Sequence, residues 1–154
     1  MVRLISAIVL VLLIATASLG QQSLVGTYKL VFLALEADGK PYEQMGKRPE
    51  GYLVLTPTHL ITLYVADNRK FGTSADDKAA LLDSMASYAG VYRVEGNKLI
   101  YTTEIIWIEN GKGMTRVETF ELSGNRLLTI LGPMPFPRDP SKKFISRKVW
   151  EKIE

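Results

Sequence analysis

The chain has no cysteine and only one histidine among its 154 residues. Without cysteine it can form no disulfide and carry no lipid on a thiol, so the core alone must stabilise the fold. His59 by itself provides neither a metal cluster nor a catalytic triad. The sequence also lacks G-x-S-x-G, a glycine-rich phosphate loop and any metal-ligand spacing. These absences disfavour a nucleophilic hydrolase, a nucleotide-binding protein and a metalloenzyme, and we expect no cofactor.

The chain also lacks a large excess of either positive or negative charge. The chain has 19 basic and 16 acidic residues, and setting aside Arg3, which lies in a segment expected to be removed, leaves 18 basic residues and a net charge of +2. Basic residues gather near the C-terminus, but a strand would place them on alternating faces: Lys142, Lys143, Arg147, Lys148 and Lys152. We therefore expect no nucleic-acid partner.

Residues 1–20 have the pattern of a secretory signal peptide. Arg3 precedes an apolar core from Leu4 to Ala15, and small residues follow. Cleavage after Gly20 is expected, with Ala17 as the alternative position. An uncleaved anchor helix is the other interpretation, but the apolar core is shorter than the ~20 residues that span a bilayer. We expect a secreted or periplasmic, monomeric domain over residues 21–154, with no stable membrane span after processing.

Runs of β-branched and aromatic residues between turn signals predict eight strands. The runs cover residues 24–35, 51–56, 59–66 and 142–153, together with four strands in a meander between residues 90 and 131. One short helix is predicted from Ser74, which can cap the N–H of Asp77, to Gly90, with an apolar stripe at Leu81, Leu82, Met85 and Tyr88. That stripe indicates core packing or the lining of a ligand site. Residues 132–141 contain four prolines and are predicted to form a rigid loop.

Eight antiparallel strands with short connections predict an all-β fold, an eight-stranded antiparallel barrel with one short inserted helix. Closure removes unpaired strand edges, and such a barrel can be filled by side chains or hold one small ligand. A two-sheet sandwich is the alternative.

Three glycine–asparagine turns set the register of the meander, and hence which side chains share a face. A turn at Gly96-Asn97 pairs Tyr92 with Tyr101, and one at Gly124-Asn125 pairs Phe120 with Thr129. A turn centred on Gly111-Lys112 pairs Trp107 with Arg116. All three give the same predicted inner wall: Tyr92, Val94, Leu99, Tyr101, Thr103, Ile105, Trp107, Arg116, Glu118, Phe120, Leu122, Leu127, Thr129 and Leu131. Isoleucines on the other face, such as Ile100 and Ile106, leave the opposite assignment open.

Several short motifs, in this order, carry a resemblance to a known family. They are LVGTYKL at residues 24–30, GYLVLTP at 51–57, YAGVY at 88–92, FELSGNRL at 120–127 and VWE at 149–151. In these motifs the chain resembles the bacterial and fungal lipocalin-like domain family, although Tyr28 stands where lipocalins often carry tryptophan. The resemblance implies a β-barrel with a pocket and no particular activity.

Arg116 and Glu118 lie two residues apart on one strand, so they share the predicted inner face. They could form an internal ion pair or anchor a ligand in an otherwise apolar pocket, with Arg116 holding an anionic or carbonyl group. Trp107 opposite Arg116 could fix the guanidinium by a cation–π contact. Unless Arg116 pairs with it, Glu118 would have a pKa raised by desolvation. The candidate ligand-binding residues are Tyr92, Tyr101, Thr103, Trp107, Arg116, Glu118 and Phe120, of which the aromatic ones could equally fill the core.

We expect a protein that binds a small, mainly apolar molecule without transforming it. A cyclase- or isomerase-type enzyme with Glu118 or a tyrosine as acid or base is one alternative. A structural or protein-binding envelope component with a filled barrel is the other.

Overall fold

A computed structural model of the protein describes residues 24–67, 69–136 and 139–154. The elements are β1 (Gly26–Ala37), β2 (Lys40–Pro41), β3 (Glu50–Leu55), β4 (His59–Val65), α1 (Ala75–Asp83), β5 (Met85–Glu95), β6 (Lys98–Ile106), a 3₁₀ turn (Glu109–Gly111), β7 (Thr115–Ser123), β8 (Arg126–Phe136) and β9 (Asp139–Lys152). The expected signal peptide lies outside these residues. Within them, no helix has both the length and the apolar character needed to cross a bilayer.

The strands close into a barrel because β1 pairs with β3 on one side and with β9 on the other. Every pairing is antiparallel, and the barrel strands follow one another in chain order from β3 to β9. The two-residue strand β2 adds only to the end of β1. For the described residues, the predicted eight-stranded antiparallel barrel with one inserted helix is therefore confirmed.

Two of the three predicted turns in the meander are confirmed. Tyr92 pairs with Tyr101 around Gly96, and Phe120 pairs with Thr129 around Gly124. Both glycines have a φ of 60°, in the left-handed region that side-chain-bearing residues rarely adopt. These hairpins fix which residues of β5, β6, β7 and β8 point inward.

The predicted register between β6 and β7 is wrong. Tyr101, not Trp107, pairs with Arg116, because residues 107–114 form a longer connection that contains the 3₁₀ turn. The displacement is six residues, an even number, so the side chains of the paired strands keep their predicted faces.

A bulge between β5 and β6 overturns one further assignment. Thr103 pairs with Gly90 but Ile105 pairs with Ala89, which leaves Glu104 as the extra residue. Beyond the bulge the alternation reverses, so Ile105, predicted to point inward, is 71% exposed. A Cβ at Gly90 would lie 1.9 Å from the carbonyl oxygen of Thr102, so this bulge requires glycine.

The helix begins as predicted but ends early. Ser74 and Asp77 form the full capping box, whereas α1 stops at Asp83 and has no buried residue. Met85–Ala89 instead pairs with β4, so the predicted helix through Tyr88 is wrong there. Ladder hydrogen bonds and burial against the barrel override a helical spacing of apolar side chains.

The described part of the proline-rich stretch is also not a loop. β8 runs to Phe136 and β9 begins at Asp139, with Met134 paired with Phe144. The register shifts between Leu131 and Met134 and again between Pro135 and Phe136. Such irregularities accommodate prolines, which cannot donate to the ladder.

One end of the barrel is packed solid. The end that carries the turns at Gly96 and Gly124 is filled by large side chains, each at most 4% exposed: Leu53, Leu55, Leu60, Val94, Leu99, Leu127 and Trp150. Tyr28 crosses this end and donates its O–H to the carbonyl of Leu24 at 2.8 Å. The opposite end holds the open space.

Candidate ligand-binding cavity

A cavity of about 680 Å³ occupies the other half of the barrel and opens to solvent at the barrel end. Its rim consists of the segment after β2, the junction of α1 with β5, and the connection between β6 and β7. Deeper residues come from β1, β7, β8 and β9. The cavity is within the size range of small-molecule sites, about 300–1,000 Å³.

Much of the cavity wall is aromatic or aliphatic. The rings of Tyr42 and Phe136 meet edge to face at 5.1 Å, and Phe136 stacks on Phe144 at 5.3 Å. Further apolar lining comes from Leu35, Met45, Leu82, Met85, Ala86, Ile106, Trp107, Ile108 and Leu131. The extended proline-rich hairpin thus contributes part of the wall, which the loop prediction did not anticipate.

The floor of the cavity is a buried polar cluster on four strands. Oε1 of Glu118 accepts hydrogen bonds from Tyr101 O–H and from Lys148 Nζ, both at 2.9 Å. Tyr88 O–H donates to the same oxygen at 3.4 Å, and its ring stacks on that of Tyr101 with centroids 5.5 Å apart. Beneath this cluster there is space of only about 10 Å³, so it seals the cavity from the packed end.

Glu118 and Lys148 form an ion pair inside the barrel, with side chains 3% and 1% exposed. Burial acts to raise the pKa of Glu118, but attraction to the Lys148 ammonium and hydrogen bonds from Lys148, Tyr101 and Thr129 outweigh it, and the pKa lies below its ordinary value. Burial opposes the charge on Lys148 as well, yet Glu118 raises the pKa of the ammonium. The pair is therefore charged at neutral pH.

Two neighbouring tyrosines are neutral phenols. Burial, together with the negative charge of Glu118, raises the pKa of Tyr101 well above its ordinary value. Burial also raises the pKa of Tyr64, which lines the cavity. The floor thus contains one ion pair and protonated phenols.

The ion pair of Glu118 with Arg116, one of the arrangements that the sequence suggested, is not formed among the described residues, and Lys148 of β9 pairs with Glu118 instead. Thirty residues separate Glu118 from Lys148, and their contact depends on β8, which lies between β7 and β9 and pairs with both. A signal was present in the sequence. Ser146, Lys148 and Trp150 lie at every second position of the last strand, so they share one face.

Arg116 lies one step nearer the cavity mouth than Glu118 on the same face of β7. It is half-buried, lines the cavity, and its Nη1 lies 3.5 Å from the sulfur of Met134. Among the residues that the structure describes, no carboxylate pairs with it. Its positive charge is thus part of the cavity wall and has no counter-charge in the described part of the chain.

Ser146 on β9 is a site residue that sequence reasoning missed. Its side chain is 2% exposed and lines the cavity, and its Oγ has no hydrogen-bond partner in the described part of the chain. A buried hydroxyl without a partner is uncommon in native proteins and is a candidate ligand contact.

The structure brings only some of the seven predicted site residues to the cavity. Tyr101, Trp107 and Arg116 line it, and Glu118 lies in the floor. The other three lie elsewhere: Tyr92 donates its O–H to the Thr56 carbonyl at 2.7 Å, Thr103 donates its hydroxyl to the Gly111 carbonyl at 2.5 Å, and Phe120 packs against the core. A role of these residues in binding stays a prediction.

A model of the lipocalin-like domain family matches residues 25–153, a range that includes all nine strands. A comparison with curated proteins gives no match.

Proposed function

The chain belongs to the lipocalin-like domain family, and from this membership we propose that it binds a small, mainly apolar molecule in the barrel cavity. The observation that carries the proposal is the cavity of about 680 Å³, open at one end and sealed by a polar floor at the other. An apolar, aromatic wall with a few polar groups is the usual construction of a small-molecule site.

Binding without chemical transformation fits the floor better than acid–base catalysis does. A general base near neutral pH needs a pKa close to 7, whereas Lys148 holds the pKa of Glu118 below its ordinary value. Tyr101 is fixed as a donor to the same carboxylate. The open cavity likewise argues against a barrel that serves only as a filled structural unit.

A titration with the neutral fluorescent dye N-phenyl-1-naphthylamine tests the proposal. We expect saturable fluorescence enhancement with the wild-type protein and a one-to-one complex in native mass spectrometry. Ala86→Trp, which fills the cavity, should weaken dye binding at least tenfold. Val117→Trp, on the outer face at a residue 45% exposed, is the matched control and should leave binding unchanged. A wild-type protein that binds no dye and no other apolar molecule would refute the proposal.

We also propose that the protein is exported and acts as a monomer outside the cytoplasm. The support is the sequence of residues 1–20, a short positive segment followed by an apolar core and small residues. When the full chain is expressed in a bacterial host, the mature protein should begin at Gln21 and elute as a monomer in gel filtration. Leu12→Arg, which interrupts the apolar core, should retain the full-length chain in the cytoplasm. A wild-type chain that stays full-length in the cytosol would contradict export.

A further inference from the structure

The cavity wall contains a cation that lacks an anion. Arg116 has a sulfur neighbour, Met134, and no carboxylate partner among the described residues, while the buried cation of the floor, Lys148, is neutralised by Glu118. A guanidinium presents five N–H donors in a planar fork that matches a carboxylate. Water can satisfy these donors wherever it has access to the cavity.

Ser146 provides an independent sign of a polar ligand group. Ser146 lines the same cavity, and its buried Oγ has no partner in the described part of the chain. β7, β8 and β9 are consecutive in the barrel, with Glu118 beside Leu131 and Leu131 beside Ser146. Arg116 lies two residues from Glu118 along β7, so it is two strands and two residues away from Ser146, roughly 12 Å between backbones, a span that an arginine side chain and one acid group can bridge.

A purely apolar ligand would fit this wall poorly. By filling the cavity it would remove water from the Arg116 guanidinium and return no acceptor, and loss of hydration without a replacement hydrogen bond is costly. An acid group would accept from Arg116 and from the Ser146 hydroxyl at once. Charge-assisted hydrogen bonds of this kind are about twice as strong as neutral ones.

We infer that the ligand is an amphipathic carboxylic acid, with its carboxylate between Arg116 and Ser146 and its apolar part against the aromatic wall. The inference rests on the proposed binding function and specifies its ligand class. One free cation in the described wall suits a single negative charge.

Competition with the neutral dye on the full mature chain tests the inference with three probes of equal chain length. These are dodecanoate, 1-dodecanol and dodecyltrimethylammonium. We expect dodecanoate to displace the dye at a concentration about tenfold lower than dodecanol, and the cation to be the weakest competitor.

Arg116→Gln should remove the preference for the acid over the alcohol while the dye still binds. Arg93→Gln, at an exposed arginine on the outer face, is the matched control and should preserve it. Ser146→Ala should reduce the preference without abolishing it.

The outcomes separate this inference from the proposed function. If the dye binds but dodecanoate and dodecanol compete equally, the carboxylate assignment is wrong and apolar binding stands. If neither the dye nor any probe binds, the proposed function itself fails. The comparison of acid with alcohol needs only the wild-type protein, so it decides the matter even if Arg116→Gln does not fold.

Discussion

Lys148 and Glu118 are stable inside the barrel only as a pair. Each is almost fully buried, and Tyr101 donates a further hydrogen bond to the carboxylate oxygen that Lys148 contacts. Taking one charge out of water costs several kcal/mol, and the attraction at 2.9 Å offsets that cost only while both partners are present. The pair therefore specifies how β7 and β9 sit across the cavity floor.

Lys148→Met should strongly destabilise the protein, because it leaves the Glu118 carboxylate buried without a counter-charge. We expect a loss of about 3–5 kcal/mol in the free energy of unfolding, measured by urea denaturation at neutral pH. The double variant Glu118→Gln/Lys148→Met should recover much of this loss, since neither remaining side chain is charged. Arg93→Gln, which breaks an exposed ion pair with Glu95, should cost less than about 1 kcal/mol. A Lys148→Met loss as small as that of the control would show that the pair does not stabilise the fold.

The same pair predicts a reversal of pH dependence. In the wild type the folded-state pKa of Glu118 lies below its unfolded value of 4.5, so its contribution is complete above that pH and is lost as the pH falls below it. In Lys148→Met, burial without the ammonium should raise the folded-state pKa above 4.5. Urea midpoints between pH 4 and 7 should then rise on acidification, relative to Glu118→Gln/Lys148→Met as the reference. A decline parallel to that of the wild type would contradict this expectation.

At the scale of elements, hairpins with short turns were predictable and longer-range irregularities were not. The turns at Gly96 and Gly124 fixed their registers because two central residues leave one way to pair the flanking strands. The β6–β7 connection contains four turn-forming residues, so its register is not set by the turn residues alone. Its 3₁₀ turn contacts the distant Thr103, whose hydroxyl donates to the Gly111 carbonyl. Arg116 and Glu118 still pointed inward because the error was an even number of residues.

Gly90→Ala tests the bulge that interrupts the regular pairing of β5 with β6. A Cβ there would meet the Thr102 carbonyl oxygen, a backbone atom that cannot move without breaking the β5–β6 ladder. We expect a loss of at least 3 kcal/mol, roughly the upper end of overpacking costs, measured by thermal and urea denaturation. Gly96→Ala has open space around its Cβ but a φ of 60°, so its loss should be about 1–2 kcal/mol. Equal losses at both positions would mean that the bulge relaxes to accept a side chain.

Helix α1 should be stabilised locally by its cap. The Ser74 hydroxyl accepts from the Asp77 N–H at 3.1 Å, and no residue of the helix is buried. Ser74→Ala should therefore destabilise the helix by about 1 kcal/mol and speed amide exchange in residues 78–84 about fivefold. The urea midpoint of the barrel should stay within error, with Ser123→Ala at an exposed strand end as the control. A matching fall in global stability would show that the helix unfolds together with the barrel.

Along the barrel axis, the packed core and the cavity occupy opposite ends of the molecule. Trp150, Tyr28 and the leucines around them fill one end, and the ion pair caps that core. The open end has fewer buried side chains, and its wall includes residues 82–86 and 106–110. Regions with few buried apolar contacts open locally at a lower free energy than the core does.

Ligand binding should consequently protect the two ends of the barrel differently. Dodecanoate at about 100 times its Kd should raise the free energy of unfolding by about 2.7 kcal/mol. In hydrogen exchange followed by mass spectrometry, wall peptides covering residues 82–86 and 106–110 should slow at once, because their local opening exposes the cavity. Peptides of the packed end, such as those around Leu127, exchange only when the whole protein unfolds. Their exchange should slow only by the factor that corresponds to the increase in the free energy of global unfolding. Ala86→Trp should abolish both effects, since it removes the space for the ligand. Equal protection at both ends in every time window would show that the barrel opens as one unit.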